Sequence, residues 1–252
     1  MARKEAWENT KKVLRTGTFQ EKVDHILQYY KLHLIIFIFA GIILSDIIYA
    51  KITEKDYVLQ GMFLNTNAQA HTMDALEESY LKVSTIDPAT QDIYFDASVY
   101  HSPNGDAEEV LTNYEEFQLL SVRVATGELD FVVGDYETMN YLAYKDYFEE
   151  IPNVLAKEQY EKYESCFLYY DRAFIHELEA IGNNSETIPL VVYPDPTKPN
   201  LMKEPVPIMI DISNCAKLKE LYSNHEDQYA LCIVVNSMNI NEIVEFLNYV
   251  LE

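Results

Sequence analysis

Glycine is scarce in this chain, and the sequence contains only three cysteines and one tryptophan among 252 residues. Seven glycines leave no Gly-rich phosphate loop, and neither a G-x-S-x-G elbow nor an H-E-x-x-H zinc motif is present. Cys166, Cys215 and Cys232 lack the close paired spacing of a zinc site. Cys215 and Cys232 could pair in an oxidising compartment, although buried free thiols are the expectation. We therefore expect no cofactor, no metal ion and no enzymatic activity.

Basic residues are also scarce beyond the first part of the chain. Residues 1–32 contain seven Lys/Arg and four acids, which gives them a net charge of +3. Because the whole chain has a net charge of −22, the remaining residues have a net charge of −25. A domain of that charge is repelled by nucleic acid and by anionic lipid headgroups. We expect no nucleic-acid partner; a cationic partner, a metal ion or simple solubility all remain compatible with the charge.

A long apolar run, Leu32–Ala50, predicts a transmembrane helix. Its nineteen residues would span roughly 28 Å, close to the hydrocarbon thickness of a bilayer. The basic residues that precede it place the N-terminus in the cytoplasm by the positive-inside rule. The predicted organisation is a basic amphipathic arm, the membrane helix, a connector and an acidic extracytoplasmic domain. These four parts comprise residues 1–31, 32–50, 51–57 and 58–252.

Two other interpretations of the apolar run remain open. A cleaved signal peptide has the same polarity, although about thirty residues before the apolar core is long for one. A buried core helix is the other, although the run is apolar on all sides. The arm has apolar residues at helical spacing, from Phe19 to Tyr30, and could prolong the helix, lie on the inner leaflet or bind a membrane partner.

Beyond the connector, apolar strand-like segments alternate with helical ones. This alternation predicts an α/β domain with a mixed, mostly parallel sheet and helices on its faces. Gly127 is placed as a helix stop, and Asp135 as the N-cap of the helix that follows. The predicted strands are 58–64, 92–100, 129–133, 188–193, 208–212 and 229–235, with 167–170 ambiguous, and the predicted helices are 73–83, 114–126, 135–147, 157–166, 216–222 and 241–251.

Polar and aromatic residues follow several of these strands. Ligands of parallel α/β sheets bind at the carboxyl ends of the strands, so these residues could converge on one cleft. Turns and helix caps need the same short polar residues, which is the alternative explanation for each of them. The candidate ligand-binding residues are Asn65, Asn67, His101, Asp135, Tyr136 and Asn236.

Two stretches resemble the extracytoplasmic solute-binding proteins of bacterial ABC transporters. In Val124–Ala143, a helix ends at a small-residue turn, Asp130 precedes an apolar strand, and Asp135 starts the next helix. The closing strand, which ends at Asn236, and the helix after it are similar to the last strand and helix of that family. The whole plan looks like membrane-anchored proteins of Gram-positive bacteria. The resemblance implies a reduced type II periplasmic-binding-protein fold.

The chain departs from that family in two ways. About two hundred residues remain after the anchor, so one of the two usual lobes must be reduced. A lipoprotein cysteine is absent after the apolar run, where Ser45 and Asp46 stand instead. The family's ligand residues are therefore not transferred to this chain.

These observations favour a binding module that captures a small ligand or peptide, or docks on a membrane complex. The alternative is a structural or assembly protein that has lost its cleft and uses an acidic surface rich in its twenty tyrosines. A surface hydrolase is a third class, suggested by His101 and Ser102 near Asp96 and by paired carboxylates. Adjacency in sequence gives no triad geometry, so this class ranks last.

Overall fold

The computed structural model describes residues 2–53, 55–66, 68, 70–100, 118–184, 191–219, 221–222 and 228–251. The chain divides into two compact units, residues 1–54 and residues 55–252.

The first unit consists of two helices, α1 (Ala2–Thr16) and α2 (Phe19–Thr53). The chain leaves helical geometry at Gly17 and Thr18. Thr18 then starts α2 with a reciprocal capping box: its N–H donates to the Glu21 carboxylate at 2.8 Å, and the Glu21 N–H donates to its hydroxyl at 3.4 Å. The break between the two helices is therefore encoded locally.

Within α2, Lys31–Thr53 is long and apolar enough to cross a membrane, and none of its most apolar window is buried within the protein. A signal sequence near the N-terminus would pass the same test. The helix includes the predicted segment 32–50 and continues through Thr53, while the first strand begins at Asp56. The expected connector 51–57 is thus mostly helix and strand.

The second unit is built on a six-stranded sheet of order β2-β1-β3-β6-β5-β4. Parallel pairs join β1 to β2 and β3, whereas the pairs β3–β6, β5–β6 and β4–β5 are antiparallel. The sheet is mixed, as predicted, but the expectation that it is mostly parallel is wrong. The strands are β1 (Asp56–Phe63), β2 (Gln91–Asp96), β3 (Phe131–Asp135), β4 (Phe167–Asp171), β5 (Pro205–Asp211) and β6 (Tyr229–Ile233).

Helices cover both faces of this sheet, which gives an α/β fold with three layers. Helices α3, α6, α7 and α9 contribute to the hydrophobic core on one face, and α4, α5 and α8 contribute to the core on the other. These helices are α3 (Ala70–Leu81), α4 (118–126), α5 (Tyr136–Ala143), α6 (Ile151–Val154), α7 (Lys157–Tyr163), α8 (Arg172–Asn184) and α9 (Ile240–Leu251).

Stacked aromatic rings form the centre of the first core. Phe131 of β3 stacks on Phe246 of α9 with ring centroids 4.9 Å apart, and Phe63 and Phe95 meet it edge-on. The Phe131 ring lies over Gly61 of β1, where an added Cβ would stand 2.2 Å from the ring carbon Cζ. A glycine is therefore required at this position because the ring occupies the space of a side chain.

The two buried cysteines lie on opposite faces of the sheet. Cys215 packs in the core that contains Phe131, and Cys232 in the core that contains Met62 and Val132. All three cysteines are free thiols. A disulfide between Cys215 and Cys232 would have to cross the sheet, so the free-thiol expectation matches the structure.

Two predicted elements are absent or reduced to a single turn in the structure. Residues 191–193, the described part of the predicted strand 188–193, form no strand; Val192 is exposed, and Tyr193 packs its ring on Tyr144 instead. The predicted helix 216–222 is reduced to a single 3-10 turn, Ala216–Leu218. Both segments are loops that contain apolar residues. The spacing of apolar residues cannot distinguish such a loop from a short strand or helix.

Asp171, at the end of β4, organises the loop that leads into β5. Its buried carboxylate accepts hydrogen bonds from the backbone N–H groups of Ala173, Lys203 and Glu204, at 3.1, 2.9 and 2.9 Å. Burial acts to raise the pKa of Asp171, but these three donors act against it and the pKa is lowered overall. The native state therefore holds the ionised carboxylate more firmly than the unfolded chain does.

The lowered pKa of Asp171 predicts a loss of stability in acid. The unfolded chain binds a proton at this site at higher pH than the folded one, so stability falls as the pH falls towards the folded pKa. Urea unfolding of residues 55–252 between about pH 7 and pH 3 should show a shallower fall for Asp171→Asn than for the native chain. Asp56→Asn removes an exposed carboxylate and serves as the control. Equal slopes for all three proteins would contradict the assignment.

Candidate functional site

Four strands, β1, β2, β3 and β5, end at the same edge of the sheet, and β6 begins there. We call this the carboxyl edge. Chain segments that follow these strands are brought together there, as expected for the ligand-binding edge of an α/β sheet. Residues 101–117 and 223–227, which adjoin two of these segments, lie outside the described residues.

Asn65 and Asp135 connect the ends of β1 and β3. Asn65 has a left-handed backbone (φ 57°), a conformation that asparagine tolerates better than most residues. Its side-chain amide donates to the Asp135 carboxylate at 2.7 Å and to the Thr138 hydroxyl at 3.1 Å. Asp135 in turn accepts from the Thr138 N–H at 2.9 Å and caps α5, as the sequence predicted. These side chains thus already fix one another.

Tyr136, the first residue of α5, lies beside Asp211, the last residue of β5, and Ser213, which follows it. Burial first, and the negative charge of Asp211 second, raise the pKa of Tyr136, so its hydroxyl stays protonated at neutral pH. The Ser213 hydroxyl donates to the Asp211 carboxylate at 2.6 Å and accepts from the Tyr229 N–H at 3.0 Å. These contacts bind β3, β5 and β6 together at the carboxyl edge.

Tyr222 lies at this edge with its hydroxyl group unpaired among the described residues. It is 5% exposed and stacks on Tyr229 with ring centroids 3.8 Å apart and planes 28° apart. Its hydroxyl is buried and has no hydrogen-bond partner among the residues that the structure describes. Burial, the Tyr229 hydroxyl and the Asp135 charge all raise the pKa of Tyr222, which places it near both residues. Buried polar groups are nearly always paired, so this hydroxyl requires an explanation.

A buried ion pair stabilises the carboxyl edge where β2 ends. Asp96, the last residue of β2, accepts from the Arg123 guanidinium of α4 at 2.7 Å, and both side chains are about one-tenth exposed. The other carboxylate oxygen accepts from the Ser98 N–H and hydroxyl at 2.9 and 2.6 Å. Arg123 also lies over the Tyr94 ring, 5.4 Å from its centroid. Both carboxylate oxygens of Asp96 have a structural partner, so this pair is a support of the edge.

Of the predicted site residues, the structure brings three together and separates one. Asn65, Asp135 and Tyr136 lie at the carboxyl edge, as expected. Asn236 lies at the opposite edge, because β6 runs antiparallel to β3 and pairs Ile233 with Phe131. The expectation that Asn236 joins the cleft is therefore wrong. The two remaining candidates, Asn67 and His101, lie outside the described residues.

Sequence reasoning missed four residues of this edge: Asp211, Ser213, Tyr222 and Tyr229. Ser213 directly follows the predicted strand 208–212 and carried the same signal as Asn65, whereas Asp211 lies within that predicted strand. Tyr222 and Tyr229 carried no such signal, because the sequence does not show that Tyr222, in the segment after β5, packs against the first residue of β6. Their stacking depends on strand order, which periodicity does not report.

The chemistry of the edge is that of carboxylates, hydroxyls and aromatic rings. Within the described part of the chain, no group of three His, Cys, Asp or Glu residues could hold a metal ion. The Ser213 hydroxyl donates to the Asp211 carboxylate and accepts from the Tyr229 N–H, so its contacts hold the edge together. The arrangement suits recognition by hydrogen bonds, charge and ring contacts.

The fold and the edge define a class: an α/β domain with an open, mixed six-stranded sheet, on a chain whose N-terminal unit contains one long apolar helix. Comparison with known proteins adds nothing to this class, since no protein-family model, no curated protein and no solved structure matches the chain.

Proposed function

We propose that residues 55–252 form a non-catalytic, solute-binding-like domain that α2 anchors to the cell membrane, with the domain outside the cytoplasm. The apolar, uncovered span Lys31–Thr53 supports the anchor. The seven basic residues among the first 32 support the orientation, because basic flanks stay on the cytoplasmic side. The resemblance to a reduced periplasmic-binding-protein fold remains part of this proposal.

The observation that carries the binding role is the Tyr222 hydroxyl. It is buried, without a hydrogen-bond partner in the part of the chain that the structure describes, at the edge of the sheet where α/β domains bind ligands. A buried donor without an acceptor costs about 1–3 kcal/mol. A ligand atom that pairs with the hydroxyl would remove this cost, and the domain would then gain stability from binding.

The groups around Tyr222 favour a ligand that carries an amine. Asp135 and Asp211 supply negative charge, and the partly exposed Tyr229 is an aromatic ring of the kind on which an ammonium group is stabilised. The domain as a whole is strongly acidic and would attract cations. An amino acid, a polyamine or the amino end of a peptide has this chemistry.

Tyr222→Phe is expected to separate binding from folding. Because the lost hydroxyl has no partner, the variant should be as stable as the native domain or up to about 1 kcal/mol more stable. A ligand at a hundredfold excess over its dissociation constant stabilises the native domain by about 2.7 kcal/mol. Thermal-shift measurements on residues 55–252 with amino acids, short peptides, polyamines, sugars and divalent cations should give a shift with an amine-bearing class, and Tyr222→Phe should remove most of it.

The control for this experiment is Tyr57→Phe, which removes an exposed hydroxyl at the far end of β1. It should leave both the midpoint and the ligand-induced shift unchanged. Asp135→Ala is a poorer test, because Asp135 also caps α5 and its loss would lower stability by about 1 kcal/mol without any ligand. A ligand shift that persists in Tyr222→Phe would place the binding site elsewhere.

The second candidate function is a structural or assembly role on a membrane complex. It is favoured by the contacts of Asn65, Asp135 and Thr138, which bond to one another and leave less of the edge for a ligand. This function predicts no thermal shift across the panel. It also predicts that the full-length chain, solubilised from membranes, co-purifies with a defined membrane protein.

A further inference from the structure

Helix α1 presents a stripe of exposed apolar and basic side chains. Trp7, Lys11, Leu14 and Arg15 follow one another at the i, i+4, i+7, i+8 spacing that places residues on one side of a helix. Trp7 is 60% exposed and Leu14 44% exposed, and Lys11 and Arg15 are exposed beside them. We call these four residues the α1 stripe. An exposed tryptophan and leucine beside two cations suit an occupant that is both apolar and anionic.

The covered part of α1 borders the stripe. Thr10, which lies one turn from both Trp7 and Leu14, is 7% exposed, whereas Lys12 and Thr16 on the opposite side of the helix are exposed. The break at Gly17 and Thr18 connects α1 to the start of α2, about 18 Å before the apolar span begins at Lys31. At 1.5 Å per residue, Trp7 lies about 15 Å from the break, so the chain tethers the α1 stripe within reach of the side of the membrane where the span begins.

We propose that the α1 stripe binds a bilayer surface that contains anionic lipid, on the side of the membrane where the span begins. This inference rests on the proposed membrane anchoring of α2. The sequence of α1 contains five basic and two acidic residues, a net charge of +3 that complements anionic headgroups. Trp7 and Leu14 would enter the headgroup boundary, where tryptophan is preferred.

Charge also favours lipid over a second copy of the chain. Two α1 helices of net charge +3 repel each other, and the outer domain, though acidic, is connected to the opposite end of the span. The anionic inner leaflet attracts basic segments that lie next to a membrane helix, by an amount that corresponds to about fivefold in binding for each lysine or arginine near the surface.

Trp7 makes this inference directly measurable because it is the only tryptophan of the chain. The full-length chain is reconstituted in vesicles of phosphatidylcholine alone, or of phosphatidylcholine mixed with phosphatidylglycerol, each with and without lipids brominated near the headgroup. The expected result is a blue-shifted Trp7 emission that is quenched by brominated lipid in the anionic vesicles, and much less in the neutral ones. High salt, which shortens the screening length to about 3 Å at 1 M, should reduce the difference.

The matched variants remove two charges at different places. Lys11→Gln with Lys12→Gln should weaken the lipid-bound state of α1 by roughly thirtyfold, from about fivefold for each lysine. Lys82→Gln with Lys157→Gln, two exposed lysines of the outer domain, should leave the quenching unchanged. Flotation after alkaline extraction measures insertion of α2 independently of Trp7.

Three outcomes would overturn the proposal. Equal quenching in neutral and anionic vesicles would show that charge does not recruit α1. Quenching or emission that depends on the protein-to-lipid ratio at constant composition would assign the stripe to a second copy. A chain that floats but whose Trp7 stays unquenched would refute the α1 inference alone, whereas a chain that is extracted by alkali would refute the membrane anchor as well.

Discussion

Arg123→Ala is expected to lower the free energy of unfolding of residues 55–252 by about 3–5 kcal/mol. The substitution leaves the Asp96 carboxylate about nine-tenths buried without its cation, and an unpaired charge in that position costs much more than the ion pair contributes when intact. The ring contact of Arg123 with Tyr94 is lost too. Urea denaturation followed by far-UV circular dichroism gives the difference as a lower midpoint with an unchanged slope.

Two further variants identify the cause of that loss. Replacing both partners, Asp96→Leu with Arg123→Met, removes the uncompensated charge and should cost less than Arg123→Ala alone, apart from the bonds that Asp96 accepts from Ser98. Lys157→Ala breaks a pair with Glu161 in which both side chains are mostly exposed, and it should change stability by less than about 0.5 kcal/mol. A loss below about 1 kcal/mol for Arg123→Ala would mean that water reaches the Asp96 carboxylate.

Local features of this fold could be predicted from the sequence because each depends on neighbouring residues. Asp135 was expected to cap α5, and it does, through the Thr138 N–H. Gly127 was expected to stop a helix, and it adopts a φ of 70° after α4. A cap needs only a short acceptor followed by helical residues, and a helix stop needs only a residue that tolerates a positive φ. Both requirements can be recognised from a few consecutive residues of the sequence.

Strand direction could not be predicted, because periodicity reports which residues are buried and not which way a strand runs. The alternation of strands and helices was interpreted as mostly parallel, but the connection after β3 leads through α5, α6 and α7 to β4 at the far end of the sheet. The last strand, β6, then enters between β3 and β5 in the antiparallel direction. Its buried residues alternate between the two cores equally well in either direction.

This error in direction explains the mixed outcome at the candidate site. Asn65 and Asp135 follow strands that run the same way, so the carboxyl-end rule places them together. Asn236 follows a strand that runs the other way, so the same rule sends it to the other edge. Tyr222 belongs to the carboxyl edge through the chain that precedes β6, so its place depends on strand order. The residues of a site that is built from several strands can therefore be predicted only when the directions of those strands are known.

Asp130→Ala is expected to destabilise the domain by about 3–4 kcal/mol, from the opposite edge of the sheet. The Asp130 carboxylate is 3% exposed and accepts from the Gln60 N–H at 2.7 Å, the Ser237 hydroxyl at 2.7 Å and the Asn239 amide at 3.0 Å. It thus joins β1, the start of β3 and the turn between β6 and α9. Hydrogen bonds to a charged acceptor contribute about 1.5–3 kcal/mol each, and alanine leaves three donors without it.

Ser237→Ala removes a single donor from this cluster and should cost about 1–2 kcal/mol, less than half of the loss in Asp130→Ala. If the two variants are equally destabilised, the carboxylate is not the centre of the cluster. Because Asp130 lies away from the carboxyl edge, Asp130→Ala should leave the dissociation constant of any ligand unchanged in the folded fraction, whereas Tyr222→Phe should weaken binding at unchanged stability. The two variants together would show that the carboxyl edge of the sheet serves binding, whereas the opposite edge serves folding.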